Sequence, residues 1–555
     1  MDWAKNRKTI FFILPFIIYL ALLAVMPLME PDEGRYSAIP SEMNHSGDYV
    51  TPHLKGTVYL EKPPLCYWAT AVSFKIFGEN EFSARLISAL CLWGCILLVY
   101  RMGTFFHGEK TGFYAAAVLT TSLFPFAIGR LNILDMPLAF FVSVAVWFGY
   151  RYFSDGDYRK KNIYLFYIFC ALAFLTKGLI GIVFPSAIVI IWLMLSGKWR
   201  EILRLFSPAG VMIFLAVAGP WLLLVQKANK DFLWFFFVQE HFLRYTTTMH
   251  SRNEPIYFYV PIIIAGAMPW WAFLFKAIKE GEAKLSSLFA PTEKLFLLAW
   301  AGFIFLFFSI SSSKLIPYIA PMFLPIAVIM GNIFRSYDDQ GDNFNHSKGA
   351  GSLYRLPVIL QSVLFIAVLL APPFLKNHGI PFHTWWPWVT FPILMQVAIT
   401  FLPDIVGRRW RSGWFVSIYV ISFLFMGSLI FPMSQFLTPY KSAYPIAKVI
   451  NDYVPANEEV YQYGMSLYGI DFYSKRRTPV VDDIGELRPG VEKLPREEKN
   501  RYFLTSEMFF SLCHEKRDIY CVAEREDVEK LKKKTAFLHV LWDNGYYSLV
   551  HLKDE

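Results

Sequence analysis

A short polar segment after the first apolar run of the chain contains side chains that could bind and transfer a phosphorylated group. Residues 30–36 read Glu-Pro-Asp-Glu-Gly-Arg-Tyr. The carboxylates of Asp32 and Glu33 could accept a proton, and the guanidinium of Arg35 could bind a phosphate through two parallel hydrogen bonds. A charge cluster that only caps a helix end and faces water is the alternative interpretation. The segment therefore indicates either an acid–base site with a phosphate ligand or a solvated helix end.

Two further motifs place polar side chains near the ends of apolar runs. Residues 58–65, Val-Tyr-Leu-Glu-Lys-Pro-Pro-Leu, bring an acid and a base together beside a Pro-Pro pair that restricts the backbone, although an ordinary surface turn would have the same composition. Asp135 stands at the start of a later apolar run. An acid inside a membrane helix is costly unless it is paired or functional, so function is favoured over an N-terminal cap.

Two later segments carry charges that we expect on the same side of the membrane. Residues 239–245 read Gln-Glu-His-Phe-Leu-Arg-Tyr, and residues 311–318 contain Lys314 and Tyr318 around a helix start broken by proline. Such a lysine could neutralise an anionic substrate, or it could simply extend to the membrane surface. Acids, basic groups and tyrosines from several loops suit an anionic lipid-linked substrate. At this point both a transferase and a transporter remain possible.

The elements that must hold these residues are membrane helices. Of the 555 residues 55% are apolar and 17% are charged, whereas about a quarter of an average soluble domain is charged. The composition excludes a disordered, collagen-like or coiled-coil protein. The net charge of +9 lies in short clusters between apolar runs, which is typical of cytoplasmic membrane loops and argues against a nucleic-acid partner. No Cys-x-x-Cys pair is present, which argues against a zinc ribbon or redox motif.

The apolar runs predict an α-helical polytopic membrane protein with about thirteen transmembrane helices. The basic clusters alternate between loops, which places the N-terminus in the cytoplasm and the C-terminal region outside. We expect a transmembrane catalytic domain at residues 1–433, with a large first outer loop at residues 30–84. Residues 434–555 alternate β-like runs with amphipathic helices and predict a small α/β domain. The runs after the N-terminal one lie near residues 86–106, 111–129, 134–152, 163–177, 179–196, 209–226, 255–275, 294–312, 315–334, 356–375, 385–403 and 413–433.

The motifs PDEGRY, YLEKPPL and LDMP, in a body of this kind, resemble a known family. It is that of the bacterial lipid A 4-amino-4-deoxy-L-arabinose transferases, C-type glycosyltransferases related to the protein O-mannosyltransferases. The resemblance implies a C-type glycosyltransferase fold in the inner membrane with a periplasmic C-terminal domain. It also implies transfer of aminoarabinose from undecaprenyl phosphate to lipid A phosphate groups, which gives resistance to cationic peptides such as polymyxin. No cofactor is expected to be required.

The resemblance also assigns roles to residues of this chain. Asp32 matches the essential acid of the first outer loop and Asp135 the second acid, and Glu33 is a further catalytic candidate. Positions that hold the carrier-lipid phosphate are matched by Arg35, Tyr59 and Lys62, and more loosely by Arg244 and Tyr318. Glu61 matches an acid that can help to bind a metal ion, and His241 could complete a zinc site with it.

Three alternatives to this function stay open. The enzyme could transfer another sugar, such as a hexose or galacturonic acid, or it could use a protein hydroxyl as acceptor. A lipid flippase without chemistry would belong to a different class. Inverted repeats and charged residues at the middle of the membrane are typical of transporters, and the acids here stand at helix ends instead. The expected partners are the undecaprenyl phosphate-linked sugar, lipid A and inner-membrane lipids, and no nucleic acid is expected among them.

Overall fold

The computed structural model describes residues 2–154, 158–243, 254–271, 292–339, 350–375, 380–409, 413–515, 518–535 and 537–553. The chain divides into two compact units. The helical unit comprises Met1–Leu22 and Ile87–Pro432, and the sheet unit comprises Leu23–Leu86 and Met433–Glu555. Each unit therefore contains two segments of the chain.

Long apolar helices dominate the helical unit. Of the described residues, seven helices are long and apolar enough to cross a membrane, and four shorter apolar helices accompany them. The chain is therefore a multi-pass membrane protein, and the predicted helical fold class is confirmed, whereas the predicted number of thirteen crossings is not. The longer helices are Asp2–Ala21, Glu81–His107, Glu109–Thr120, Asp135–Ser154, Lys160–Lys177, Ile180–Leu195, Pro208–Ala228, Thr292–Ile310, Phe323–Asp339, Ala350–Leu370, Phe382–Arg409 and Gly413–Lys441.

Short helical segments connect these helices and explain where the predicted runs divide. The run predicted at residues 111–129 is broken at Thr121, and a separate short helix follows it. Gly178 separates two further helices because its φ of 80° is in the left-handed region, which glycine adopts without steric cost. The short helical segments are Leu22–Ala24, Leu123–Ile128, Trp199–Glu201, Ile202–Leu205, Tyr259–Gly266, Ile316–Met322, Pro372–Phe374 and a π-helix at Trp234–Leu243.

Aromatic side chains fill the core of the helical unit. Trp192, Trp270 and Trp300 are among its largest fully buried side chains. The Phe124 and Phe323 rings stack with their centroids 4.5 Å apart. Offset and edge-to-face aromatic packing of this kind stabilises the interior beyond the effect of its buried area.

A six-stranded mixed sheet organises the C-terminal part of the sheet unit. The strands are β3 (Val460–Tyr463), β4 (Val480–Val481), β5 (Phe503–Leu504), β6 (Asp518–Glu524), β7 (Leu538–Asp543) and β8 (Tyr547–Lys553), in the spatial order β5-β4-β3-β6-β8-β7. Strands β3, β4, β5 and β6 run parallel to one another, and the β7–β8 hairpin adds two strands through the antiparallel pairing of β8 with β6. The helices of this part are Tyr444–Tyr453, Tyr468–Ser474, Gly485–Leu487, Arg488–Val491, Arg496–Tyr502, Ser506–Glu515 and Arg525–Lys534. A C-terminal α/β region is thus present, as predicted.

The first loop of the chain belongs to the sheet unit. It contains the helices Asp32–Ser46 and Leu65–Phe77 and the two-stranded hairpin β1 (His53–Leu54) and β2 (Thr57–Val58). The Lys55 ammonium lies 3.0 Å from both carboxylate oxygens of Asp471 and also donates to Thr478 Oγ1 at 3.0 Å. The sequence-based division placed residues 30–84 with the transmembrane domain, whereas here they pack with the C-terminal residues.

Candidate functional site

The helix Asp32–Ser46 positions the charged residues of the first motif. Pro31 precedes it, and the acids Asp32 and Glu33 stand in its first turn, where the helix dipole favours negative charge. Arg35 follows Asp32 by three residues, so the two side chains lie on the same face. The helix ends at Gly47, whose φ is 74° and whose N–H donates to the Met43 carbonyl. Asp32 and Arg35 are therefore held by one helical turn.

Arg35 is the centre of a polar cluster built from both segments of the sheet unit. Its Nη2 lies 2.7 Å from Glu486 Oε1 and 3.5 Å from Asp32 Oδ1. Its Nη1 donates to the Tyr59 hydroxyl at 3.2 Å. Its Nε is buried and has no hydrogen-bond partner within the described part of the chain. We call the group Asp32, Arg35, Tyr59, Glu61, Lys62, Tyr468 and Glu486 the Arg35 cluster.

The second motif supplies one side of this cluster. The Tyr59 hydroxyl donates to Glu61 Oε2 at 3.2 Å. Lys62 donates from its ammonium to the Glu61 carbonyl at 3.1 Å, and the same ammonium lies 3.9 Å from Glu61 Oε2. The two motifs, which the sequence analysis assigned to one phosphate-binding unit, thus come together in space through Arg35 and Tyr59.

Burial and charge set the protonation of the Arg35 cluster. Burial by itself lowers the pKa of Arg35, but Tyr59, Tyr36, Glu486 and Asp32 outweigh it, so that the pKa rises well above its usual value. Burial raises the pKa of Glu486, and the charge of Arg35 opposes that rise. Burial and the Glu61 carboxylate raise the pKa of Tyr59. Arg35 therefore stays a cation, and Tyr59 stays a neutral hydrogen-bond donor.

Glu33 points away from the Arg35 cluster and is held by Arg85. Its two oxygens accept hydrogen bonds from Arg85 Nε and Nη2, both at 2.8 Å, and the two side chains are almost completely buried. Arg85 also donates to the carbonyls of Leu23, Met26 and Pro27. The geometry therefore favours a structural role for Glu33 in place of the catalytic role that we predicted.

The second predicted acid, Asp135, belongs to the helical unit and has a cationic partner. Its Oδ1 lies 2.7 Å from the Lys177 ammonium. That ammonium is also 4.7 Å from the centroid of the Tyr318 ring, within range of a cation–π interaction. Lys314 lies elsewhere in this unit and donates to the carbonyls of Glu254 and Ser311. Asp135 and Tyr318 are thus brought together through Lys177.

Two predicted residues cannot be placed in the site. Arg244 lies outside the described residues, and so does the side chain of His241. Among the residues that the structure describes, no group of three or more His, Cys, Asp or Glu side chains could hold a metal ion. Because Glu61 lies beside the Lys62 ammonium, a metal bound to its carboxylate would meet a competing cation. Zinc at Glu61 and His241 stays a prediction, and we derive no step through it.

Sequence reasoning missed Glu486, Tyr468, Lys177 and Arg85. Glu486 and Tyr468 come from the C-terminal region, far along the chain from Arg35, and neither stands in a recognisable motif. Lys177 at the end of its helix resembled an ordinary loop charge. The only available signal for Arg85 was that an arginine within an apolar helix needs a partner.

Comparisons with known proteins show what the chain as a whole is similar to. Residues 61–224 match the family described as dolichyl-phosphate-mannose-protein mannosyltransferase. An undecaprenyl phosphate-alpha-4-amino-4-deoxy-L-arabinose arabinosyl transferase from Proteus mirabilis is 32% identical over 341 residues, which are 61% of each chain. A transferase of the same name from Pseudomonas fluorescens is 32% identical over 330 residues, 58% of this chain and 59% of the relative.

A solved structure matches nearly the whole chain. The crystal structure of ArnT from Cupriavidus metallidurans bound to undecaprenyl phosphate superimposes with a TM-score of 0.84 at 25% identity, over 99% of this chain and 98% of that one. In sequence, however, the match spans about three fifths of the length of the curated relatives. These findings confirm the resemblance and the C-type glycosyltransferase fold.

Proposed function

We propose, from this relationship to the aminoarabinose transferases, that the chain transfers 4-amino-4-deoxy-L-arabinose from undecaprenyl phosphate to phosphate groups of lipid A. We place the reaction at the outer surface of the inner membrane, with the N-terminus in the cytoplasm and the sheet unit in the periplasm. The alternation of basic clusters between the loops supports this orientation. The relatives' names and the undecaprenyl phosphate in the ArnT crystal structure support the donor.

The single observation that carries the proposal is the buried Arg35 guanidinium, whose Nε has no hydrogen-bond partner within the described ranges of the chain. A buried donor without a partner is costly unless a ligand completes it. Lys62 supplies a second cation close to Glu61 in the same cluster, and Tyr59 supplies a neutral hydroxyl. A phosphate monoester matches these donors in charge and geometry.

The chemistry needs positioning and charge stabilisation more than proton transfer. An oxygen of the lipid A phosphate attacks the anomeric carbon of the sugar, the bond from that carbon to the donor phosphate breaks, and undecaprenyl phosphate leaves with the electron pair. Arg35 and Lys62 stabilise the negative charge on this leaving group. The acceptor phosphate is already ionised near neutral pH, so that little general base is required.

Acidic side chains of the Arg35 cluster suit the amino group of the proposed sugar. Asp32, Glu61 and Glu486 together carry more negative charge than Arg35 and Lys62 neutralise. An ammonium group would restore the balance and gain charge-assisted hydrogen bonds. We therefore assign Asp32 to positioning either this ammonium or the acceptor. Asp135, which is paired with Lys177 at 2.7 Å in the helical unit, remains the second acid that the family resemblance implies.

Mass spectrometry of lipid A from cells with and without the protein tests this function. A pentosamine increment that depends on the protein is the expected result. An increment equal to a hexose or a uronic acid would mean that the protein transfers another sugar by the same class of reaction. Unmodified lipid A together with glycosylated envelope proteins would favour the second candidate, a protein O-glycosyltransferase, which the match of residues 61–224 to the mannosyltransferase family supports. Altered lipid distribution without any change of mass would indicate a flippase.

A further inference from the structure

Glu486 brings a carboxylate from the C-terminal region to the proposed phosphate-binding arginine. It lies in the short helical turn Gly485–Leu487, which begins at a glycine with a φ of 47°. Its Oε1 is 2.7 Å from Arg35 Nη2 and accepts a hydrogen bond from the Tyr468 hydroxyl at 3.0 Å. Two donors thus hold a single carboxylate oxygen, and they define where the side chain lies.

Burial makes this ion pair stronger than a surface pair. The side chain of Arg35 is 10% exposed and that of Glu486 is 27% exposed. Water and salt screen such a pair less than they screen an exposed one. The rings of Tyr36 and Tyr468 also lie near the guanidinium, with Arg35 Cζ 5.6 Å from each ring centroid.

The position of Glu486 affects how a phosphate can bind to the guanidinium of Arg35. A guanidinium offers two edges for bidentate binding of an anion, Nε with Nη2 and Nη1 with Nη2, and both edges include Nη2. In this structure Nη2 faces Glu486, Nη1 donates to Tyr59, and Nε has no hydrogen-bond partner among the residues that the structure describes. Nη2 carries two N–H donors, so a phosphate that binds Arg35 in bidentate fashion shares this nitrogen with the Glu486 carboxylate, and the two anions then repel each other at close range.

We propose that Glu486 is an internal competitor of the donor lipid: its carboxylate shares Arg35 Nη2 with the bound phosphate, and its negative charge weakens phosphate binding. The inference rests on the proposed function. In the absence of lipid, Glu486 keeps the buried guanidinium paired with an anion. After transfer its charge repels undecaprenyl phosphate more strongly than it repels the donor, because the monoester carries more negative charge than the phosphodiester of the donor, and this repulsion promotes release. Glu486 is thus a positioning residue that acts through Arg35.

The raised pKa of Glu486 agrees with this role. Burial disfavours the charged form of Glu486. The positive charge of Arg35 favours that form, and the negative charges of Glu61 and Asp32 disfavour it. A phosphate that binds beside Glu486 adds a further negative charge, so phosphate binding and the ionised Glu486 carboxylate oppose each other.

The test compares lipid binding to the full-length purified protein in detergent micelles. Dissociation constants are measured for undecaprenyl phosphate and for uncharged undecaprenol, with wild-type protein and with Glu486→Gln, which keeps the shape and removes the charge. Since glutamine carries no negative charge to repel the phosphate, we expect Glu486→Gln to bind undecaprenyl phosphate about tenfold more tightly. Binding of undecaprenol should not change.

Two further variants control this experiment. Tyr468→Phe keeps the ring near Arg35 and removes the hydroxyl that orients Glu486, so we expect a smaller gain in the same direction. Glu459→Gln removes another Glu–Arg pair of the sheet unit, with Arg501 at 3.1 Å, and should leave lipid binding unchanged. If Glu486→Gln does not fold, as judged by thermal unfolding, Tyr468→Phe carries the test.

The outcomes separate this inference from the proposed function. Wild-type protein that prefers undecaprenyl phosphate to undecaprenol, together with equal or weaker phosphate binding by Glu486→Gln, would overturn the competitor role alone. Such a result would mean that Glu486 only holds Arg35 in place. Wild-type protein that does not distinguish the two lipids would overturn the proposed donor and the inference with it.

Discussion

Asp32 and Arg35 share one helical turn but differ in burial, and this difference determines what their replacement should do. The Asp32 side chain is 56% exposed, and its pair with Arg35 is long at 3.5 Å. Replacing Asp32 with Asn should therefore leave folding almost unchanged, because exposed ion pairs contribute little. We expect aminoarabinose transfer to fall at least about a hundredfold, because the acceptor or the ammonium of the sugar is no longer held in the reactive position. Lipid A mass spectrometry measures the transfer.

A matched control for this variant is Asp452→Asn, at an exposed position of the same unit. It should retain full transfer and the same melting temperature. Near-normal lipid A modification by Asp32→Asn would contradict the role that we assign to Asp32.

Arg35 and Lys62 should differ in how they tolerate conservative replacement. Loss of either charge-assisted phosphate contact costs about 1.5–3 kcal/mol, so Arg35→Ala and Lys62→Ala should each weaken binding of undecaprenyl phosphate. Arg35→Lys keeps the charge but loses bidentate hydrogen bonding to the phosphate. Lys62→Arg keeps the charge at a position where a single positive charge is enough. We expect Lys62→Arg to bind more tightly than Arg35→Lys. Calorimetric titration measures this order, and unchanged affinity in both alanine variants would count against the site.

The residues of the first loop could be predicted as a group because they stand close together in the sequence. Asp32, Arg35, Tyr59 and Lys62 all lie in one polar segment, and the structure joins them through the Arg35–Tyr59 hydrogen bond. Glu486 could not be predicted in this way, since only tertiary packing brings it to Arg35. Glu33 shows the opposite problem: it stands next to Asp32 in the sequence, but helical geometry turns it towards Arg85.

The Glu33–Arg85 pair joins the helix Asp32–Ser46 to the first residues of the helix Glu81–His107 within the sheet unit. Because both charges are almost fully buried, removing one partner leaves an unpaired charge in the interior. We expect Glu33→Gln or Arg85→Met to lower the free energy of unfolding by about 3–5 kcal/mol. The double variant should lose less than the sum of the two, since it leaves no isolated charge. Denaturant titration of the purified protein measures these changes.

Arg501→Met is the comparison for this pair. It removes a pair with Glu459 in which the Arg501 side chain is 62% exposed, and we expect a loss of less than about 1 kcal/mol. A similar loss for Arg85→Met would mean that the buried pair does not hold the helices together.

At the scale of elements, an apolar run predicted a helix well where it is continuous over about the length of a membrane span. The run at residues 413–433 corresponds to the helix Gly413–Lys441. Breaks within runs were harder to predict, as at Thr121, since local hydrogen bonds and not composition decide them. The C-terminal sheet was predicted only as an α/β region. Its strand order depends on pairing between distant segments, which alternating short runs do not encode.

The whole molecule should change the charge of the cell surface if the proposed function holds. Aminoarabinose on lipid A masks a phosphate and adds an ammonium group, so the membrane surface becomes less negative. Each basic residue of a cationic peptide near an anionic membrane contributes about 1 kcal/mol of attraction, and this attraction weakens when the surface loses negative charge. Cells that express the protein, with a donor pathway and accessible lipid A, should therefore resist polymyxin. The minimum inhibitory concentration measures resistance. Cells with Asp32→Asn should be as sensitive as cells without the protein.

The division of the sheet unit between two distant segments has a consequence for biosynthesis. Residues 23–86 leave the ribosome early, whereas Asp471, Thr478 and Glu486 are made near the end of translation. The early segment can form its internal Glu33–Arg85 pair, but Lys55 must wait for Asp471. Because domains fold as soon as their residues are available, this unit can fold only after nearly the entire chain has been made. A prematurely terminated chain would keep its first helices and lack the partners that complete the Arg35 cluster.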